Sequence, residues 1–151
     1  MPSPRDEERM RRDALRLADI FTVLQRRFLL SLSKELQRGD VSFPQYFLLG
    51  FLAQKGELNM SDIAKQMGHT TAAATGLVDR LERLGHVKRY HSPDDRRKIL
   101  VNITPSGEAI VIEVRDDMVT NLLKMMEHLD SEEQRSWVKI YEKIITYCQC
   151  S

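Results

Sequence analysis

No run of about 18 uncharged apolar residues occurs anywhere in this chain, and Met1 to Arg16 is polar and charged without an apolar centre. Neither a membrane span nor a signal peptide is therefore expected, and the expectation is a soluble, cytoplasmic protein with no membrane partner. Cysteine is almost missing too. The two present, Cys148 and Cys150, sit two apart at the C-terminal end. Side chains two apart on a helix point to different sides, so an internal disulfide would require the tail to fray. Both thiols are expected reduced, with Cys148 in an apolar stripe and Cys150 in a loose tail.

Several kinds of chemistry lack their parts. There is no glycine-rich phosphate loop, no His-Glu-x-x-His, no nucleophile elbow and no paired carboxylates in an identifiable cleft, so the protein is not expected to be an enzyme and no cofactor is implied. His69, His86, His91 and His128 are scattered without a helical metal spacing, and no metal site is predicted. An excess of one charge is also absent: 23 Lys+Arg stand against 22 Asp+Glu, and a net charge of +1 excludes a generally polybasic protein.

What the chain does have is a change of local pattern from Asn59 to Ile103. In Asn59-Met60-Ser61-Asp62-Ile63-Ala64-Lys65-Gln66-Met67-Gly68, Ser61 is read as the helix start, Asp62 as the acid of its first turn, and Ile63, Ala64 and Met67 as its apolar face, with Gly68 as the stop. After His69, Thr70 can cap a second helix from Thr71 to about Leu84, closed by Gly85, with Ala74, Leu77, Val78, Leu81 and Leu84 inward. Two short helices joined by a tight glycine turn make a helix-turn-helix. The opposite face of the second helix is Thr70, Thr71, Ala72, Thr75 and Gly76, all small, which lets a helix approach base edges and phosphates closely.

After Gly85 the period changes. His86 to His91 and Lys98 to Ile103 read as two strands around the turn Ser92-Pro93-Asp94-Asp95-Arg96-Arg97, a β-hairpin wing with cations at its tip. Residues 80–98 hold Arg80, Arg83, Lys88, Arg89, Arg96, Arg97 and Lys98 against only Glu82, Asp94 and Asp95, whereas from Thr104 onward acids outnumber bases nine to five. Basic charge is thus concentrated where double-stranded DNA would lie. Arg80, one turn beyond the small face, can reach a phosphate or pair with Asp79, Glu82 or another acid of the winged domain.

The two ends are long amphipathic helices. Between about Arg5 and Arg38 there is no glycine or proline, and Leu15, Ala18, Phe21, Val23, Leu24, Phe28, Leu32 and Leu36 recur at helical spacing. Such a helix cannot bury itself on a small domain and is expected to pack on a partner chain. Thr104 and Pro105 open a helix through about His128, and Ser131 can cap a last one carrying Trp137, Ile140, Tyr141, Ile144, Ile145 and Cys148. The expected fold is mainly α with a small β-hairpin wing: residues 1–38 an N-terminal dimerisation helix, 39–103 the winged helix-turn-helix, 104–151 the C-terminal dimerisation helices.

Gly68-His69-Thr70-Thr71, Leu77-Val78-Asp79-Arg80-Leu81-Glu82, Gly85, and Asp95-Arg96-Arg97 followed by Ile103-Thr104-Pro105-Ser106-Gly107 together resemble the MarR (multiple antibiotic resistance regulator) family of winged-helix transcription factors. The resemblance spans nearly the whole chain. It implies a homodimer on a pseudo-palindromic operator, with Thr70 to Gly76 in the major groove, Arg97 in the minor groove, and Asp95 orienting Arg97. Arg96, Lys98, Lys88 and Arg89 would hold phosphates. Many members place a large polar side chain near the position of Gly76, which this chain does not. The resemblance further implies a repressor relieved by a small aromatic or phenolic effector. Phe43, Tyr46, Phe47 and Phe51 either line its pocket, with Arg16 or His69 as polar anchor, or are plain core. Two alternatives remain. A winged-helix dimer can act through a protein partner with an acidic surface, or a thiol-based redox response can use the terminal cysteines, although peroxide-sensing members typically carry a cysteine near the N-terminus, which this chain lacks.

Overall fold

The structure is a computed structural model that describes residues 3–150. The order of elements is α1 (Pro4–Arg38), α2 (Phe43–Lys55), β1 (Leu58–Asn59), α3 (Met60–Met67), α4 (Thr71–Arg83), β2 (Val87–His91), β3 (Ile99–Ile103), α5 (Pro105–Met126) and α6 (Ser131–Cys150). The described residues divide into two compact units, one running to Val111 and the other starting at Ile112.

In the first unit, helix boundaries follow from side chains that satisfy otherwise orphaned backbone N–H groups. Ser3 and Asp6 form a capping box ahead of α1, and Ser42 and Gln45 form another ahead of α2, where the Ser42 N–H donates to Gln45 Oε1 at 2.8 Å. The start of α3 differs from expectation: the cap is Asn59, whose Oδ1 accepts the Asp62 N–H at 2.9 Å, and Ser61 lies inside the first turn. Gly68 ends α3 in the left-handed region at φ 62°, as its missing Cβ permits.

Leu48, Leu49 and Leu52 of α2, Ile63 of α3, Val78 and Leu81 of α4, and Val87 and Val101 of the sheet form the fully buried core. Burying side chains of this size contributes roughly 1.5–3 kcal/mol each, which suffices to fix α4 and the sheet relative to each other. The wing is larger than a hairpin. β1 adds to β3 through Leu58 opposite Val101, giving the antiparallel order β1-β3-β2. The β2–β3 pairing runs from Val87 opposite Ile103 to His91 opposite Ile99. Thr104 joins the sheet to α5: its Oγ1 donates to the Gly85 carbonyl at 2.6 Å and accepts the Gly107 N–H at 3.3 Å.

Along α1, every residue from Glu7 to Val23 is exposed, and full burial is reached only at Leu36. The second unit is similar. Val114 is buried, but Met118, Val119, Leu123, Val138, Ile140, Tyr141, Ile144 and Ile145 are exposed. The cap of α6 is Asp130, not Ser131: its Oδ1 accepts the N–H groups of Glu132 and Glu133 at 2.8 and 2.9 Å. Gln134 Nε2 donates back to the Met126 and Leu129 carbonyls, closing the turn after α5, which stops at Met126 and not at His128. The expected loose tail at Cys150 is not found, because α6 runs through it; its side chain lies outside the described part.

Candidate nucleic-acid interface

The proposed reading helix α4 is positioned by its N-terminal cap and by its buried face. Thr70 Oγ1 accepts the Ala73 N–H at 3.2 Å and starts the helix, while Ala74, Val78 and Leu81 are buried in the core. That fixes the opposite surface: Thr70, Thr71, Ala72, Thr75 and Gly76 are all exposed. The Thr75 hydroxyl is engaged, donating to the Thr71 carbonyl at 2.8 Å. A Cβ at Gly76 would meet nothing within 4 Å, so packing does not demand a glycine there.

At the wing tip, four polar contacts hold the loop between β2 and β3. The Ser92 N–H donates to the Lys98 carbonyl and the Lys98 N–H to the Asp95 carbonyl, both at 2.9 Å. His91 Nδ1 lies 2.8 Å from the Arg96 carbonyl. Asp95 Oδ1 accepts the Arg97 backbone N–H at 3.0 Å, so the carboxylate acts on the backbone that carries the Arg97 side chain. Arg96, Arg97 and Lys98 themselves are exposed, as is Lys88 on β2. Arg97 and Lys98 also border an open depression of about 350 Å³ beside Asn59 and Asp62 at the start of α3.

Two other basic residues are already paired. Arg89 Nη1 lies 2.5 Å from Asp79 and 3.2 Å from Glu82, and its Nη2 donates to the Thr75 carbonyl at 3.4 Å. Arg80 Nη2 pairs with Asp40 at 2.6 Å, in the turn after α1. Of the partners expected for Arg80, the structure shows another acid of the winged segment 39–103. Which acid could not be read locally, because forty residues separate Arg80 from Asp40 and only the fold brings them together.

The candidate effector residues are dispersed. On α2, Phe43, Tyr46 and Phe51 are half-buried and Phe47 is exposed; the Tyr46 and Phe47 rings lie 5.8 Å apart at 53°. Burial pushes the Tyr46 hydroxyl up from its ordinary 10.0. Arg16 is exposed on α1 and His69 in the turn before α4. A second depression, of about 450 Å³, is lined by Leu36, Gln37, Asp40, Val41, Ser42, Gln45 and Arg80, and by none of these six. Cys148 is a free, exposed thiol. Among the described residues, no group of three or more His, Cys, Asp or Glu side chains is placed to hold a metal, and no helix is long and apolar enough to cross a membrane.

A helix-turn-helix with an exposed small-residue face, followed by a sheet with a cationic tip, defines a winged-helix regulator of transcription. A model of the MarR family matches residues 39–98. The HTH-type transcriptional repressor MdtR of Bacillus subtilis is 30% identical over 130 residues, covering 86% of this chain and 81% of that protein. The uncharacterised HTH-type transcriptional regulator YfiV of the same organism is 38% identical over 108 residues, 72% of this chain and 66% of its own length. Among solved structures, the Staphylococcus aureus MepR–DNA complex is similar at a TM-score of 0.72 and 22% identity, covering 87% of this chain and 98% of MepR. The chain belongs to the MarR family, a family of DNA-binding transcription regulators and not of enzymes.

Proposed function

We propose that this protein is a homodimeric repressor that binds a pseudo-palindromic operator and is released by a small aromatic or phenolic effector. The observation that carries this reading is the pairing, within one compact unit, of the exposed face formed by Thr70, Thr71, Ala72, Thr75 and Gly76 with the three exposed cations of a hydrogen-bonded wing tip, Arg96, Arg97 and Lys98. The helix face enters the major groove, Arg97 enters the minor groove, and Arg96, Lys98 and Lys88 hold phosphates. Arg89 supports this surface from behind, since its charge is matched by Asp79 and Glu82. With no long polar side chain at Gly76, discrimination leans on methyl contacts, water and DNA shape. The similarity to MdtR, a repressor, and to MepR, solved on DNA, supports the same direction.

The terminal segments 1–38 and 104–151 serve as dimerisation helices in this reading. Exposed Leu15, Phe21 and Val23 on α1, and Ile140, Ile144 and Ile145 on α6, supply apolar surface of the kind a second copy covers. Two symmetric reading helices then address half-sites about one helical turn apart. Phe43, Tyr46, Phe47 and Phe51 of α2, with Arg16 or His69, are the candidate effector-binding residues of this proposal, although among these aromatics only the Tyr46 and Phe47 rings are in contact. A regulator of transcription of this kind acts in the cytoplasm.

The test is binding of the purified protein to the duplex flanking its own gene and to random duplex across a salt series. Tight, salt-sensitive binding to a palindrome supports the reading and supplies an assay for effectors. Absence of binding even at low salt refutes it and favours a protein partner with an acidic surface.

A further inference from the structure

We propose that Asp40 is a built-in competitor for a DNA phosphate: it holds Arg80 of the reading helix in an internal ion pair and so keeps the protein below its full duplex affinity. This rests on the reading that α4 faces DNA.

Helical geometry places Arg80 in the same row as Gly76 and Ala72, four and eight residues earlier, which makes it the first cation along the small-residue stripe. Its Nη2 nevertheless lies 2.6 Å from Asp40 Oδ2. The pair is open to water, with side-chain exposures of 42% and 73%, and it borders a wide depression, so a phosphate oxygen has access to the guanidinium. An exposed pair of this kind is weak and exchangeable. Arg89 makes the contrast, being only 23% exposed and held by two carboxylates and a carbonyl.

The backbone at Asp40 gives the second observation. Among the described residues it is the one non-glycine at positive φ, 52°. That conformation favours glycine, or asparagine and aspartate. The turn itself closes without the carboxylate, through the Asp40 N–H to the Gln37 carbonyl at 3.3 Å and the Val41 N–H to the Leu36 carbonyl at 3.0 Å. A position that a neutral residue fills without strain therefore carries a charge, and that charge is spent on Arg80. The pair also ties the end of α1 to α4, so a shift of α1 relative to α4 releases the cation.

The experiment is fluorescence anisotropy on a random-sequence duplex across a salt series, using the full chain as wild type, Asp40→Asn, Asp40→Gly, Arg80→Ala, Arg80→Ala with Asp40→Asn, and Arg97→Ala. Both Asp40 variants tolerate the left-handed backbone, and thermal melts check that they fold. At low salt each is expected to bind roughly two- to five-fold more tightly than wild type, with the log K against log salt slope steeper by about 0.9, one phosphate's worth. In the Arg80→Ala background the gain should vanish. Unchanged affinity in both Asp40 variants overturns the proposal, and so does an equal gain without Arg80, which would be a general charge effect. If wild type binds and Arg97→Ala weakens it, the DNA reading stands whatever Asp40 does; no binding by any variant sinks both.

Discussion

The guanidinium of Arg89 on β2 lies 2.5 Å from the carboxylate of Asp79 on α4. Glu82, one turn further along α4, takes a second contact at 3.2 Å and also accepts the Arg89 backbone N–H at 3.1 Å. One side chain thus joins the wing to the reading helix. Arg89→Ala is expected to lower unfolding free energy by about 1–2 kcal/mol, less than a buried hydrogen bond to a charged group contributes because Asp79 and Glu82 are partly open to water. Urea denaturation measures this. Arg89→Lys should recover only part of the loss, since an ammonium cannot present the planar fork that reaches Asp79, Glu82 and the Thr75 carbonyl together.

At the wing tip, removal of the Arg97 side chain should weaken operator binding by about 1–3 kcal/mol while leaving the dimer intact. Titration of a labelled operator, with sedimentation to follow the dimer, checks both halves. Asp95→Ala should speed hydrogen exchange at the Arg97 amide, which loses its 3.0 Å acceptor, whereas Asp95→Asn retains an acceptor and should not.

Two helical glycines should respond oppositely to the same substitution. A Cβ at Gly107 would lie 2.3 Å from the His86 carbonyl oxygen and 2.8 Å from Ile103 Cγ1, contacts that force the α5 start away from the sheet. Gly107→Ala should cost about 1–3 kcal/mol, the usual range for overpacking. Gly76→Ala meets open space on a helix and should add about 0.5–1 kcal/mol through reduced backbone entropy. Thermal melts of the pair decide the matter, and a stabilised Gly107→Ala would contradict the described junction.

Tyr46 gives a pH dependence with a definite sign. Desolvation raises its hydroxyl above 10.0 in the folded chain, so the folded state keeps its proton to higher pH than the unfolded state does. The contribution is complete below about pH 10 and is lost as pH rises through the folded value. Urea midpoints followed into the tyrosine range should fall more steeply for wild type than for Tyr46→Phe, and parallel curves would refute the assignment.

Much of this arrangement is legible in local sequence because its causes are local. Gly68 ends α3, Thr70 starts α4 and Thr104 starts α5 through groups within a few residues of themselves. Local reasoning errs where two neighbours can both do the work. Asn59 and Ser61, or Asp130 and Ser131, are each competent caps, and the choice between them depends on the path of the preceding chain. β1 could not be read from its two residues, since Leu58 and Asn59 are a strand only by virtue of Val101 and Leu100 beside them.

The sequence by itself determined the helical periods, the turn at Gly68, the small face from Thr70 to Gly76 and the concentration of cations from Arg80 to Lys98. Periodicity, capping and composition act over a few residues and need no knowledge of the fold. Only the tertiary structure decided which cations are committed inside the molecule. It committed Arg89 to Asp79 and Glu82, set Arg80 against Asp40, and left Arg96, Arg97 and Lys98 exposed at the tip. The reason is distance: an exposed ion pair needs its charges within a few ångströms, so Arg80 and Arg89 acquire partners from other elements only when burial of the leucine and valine core has brought those segments together.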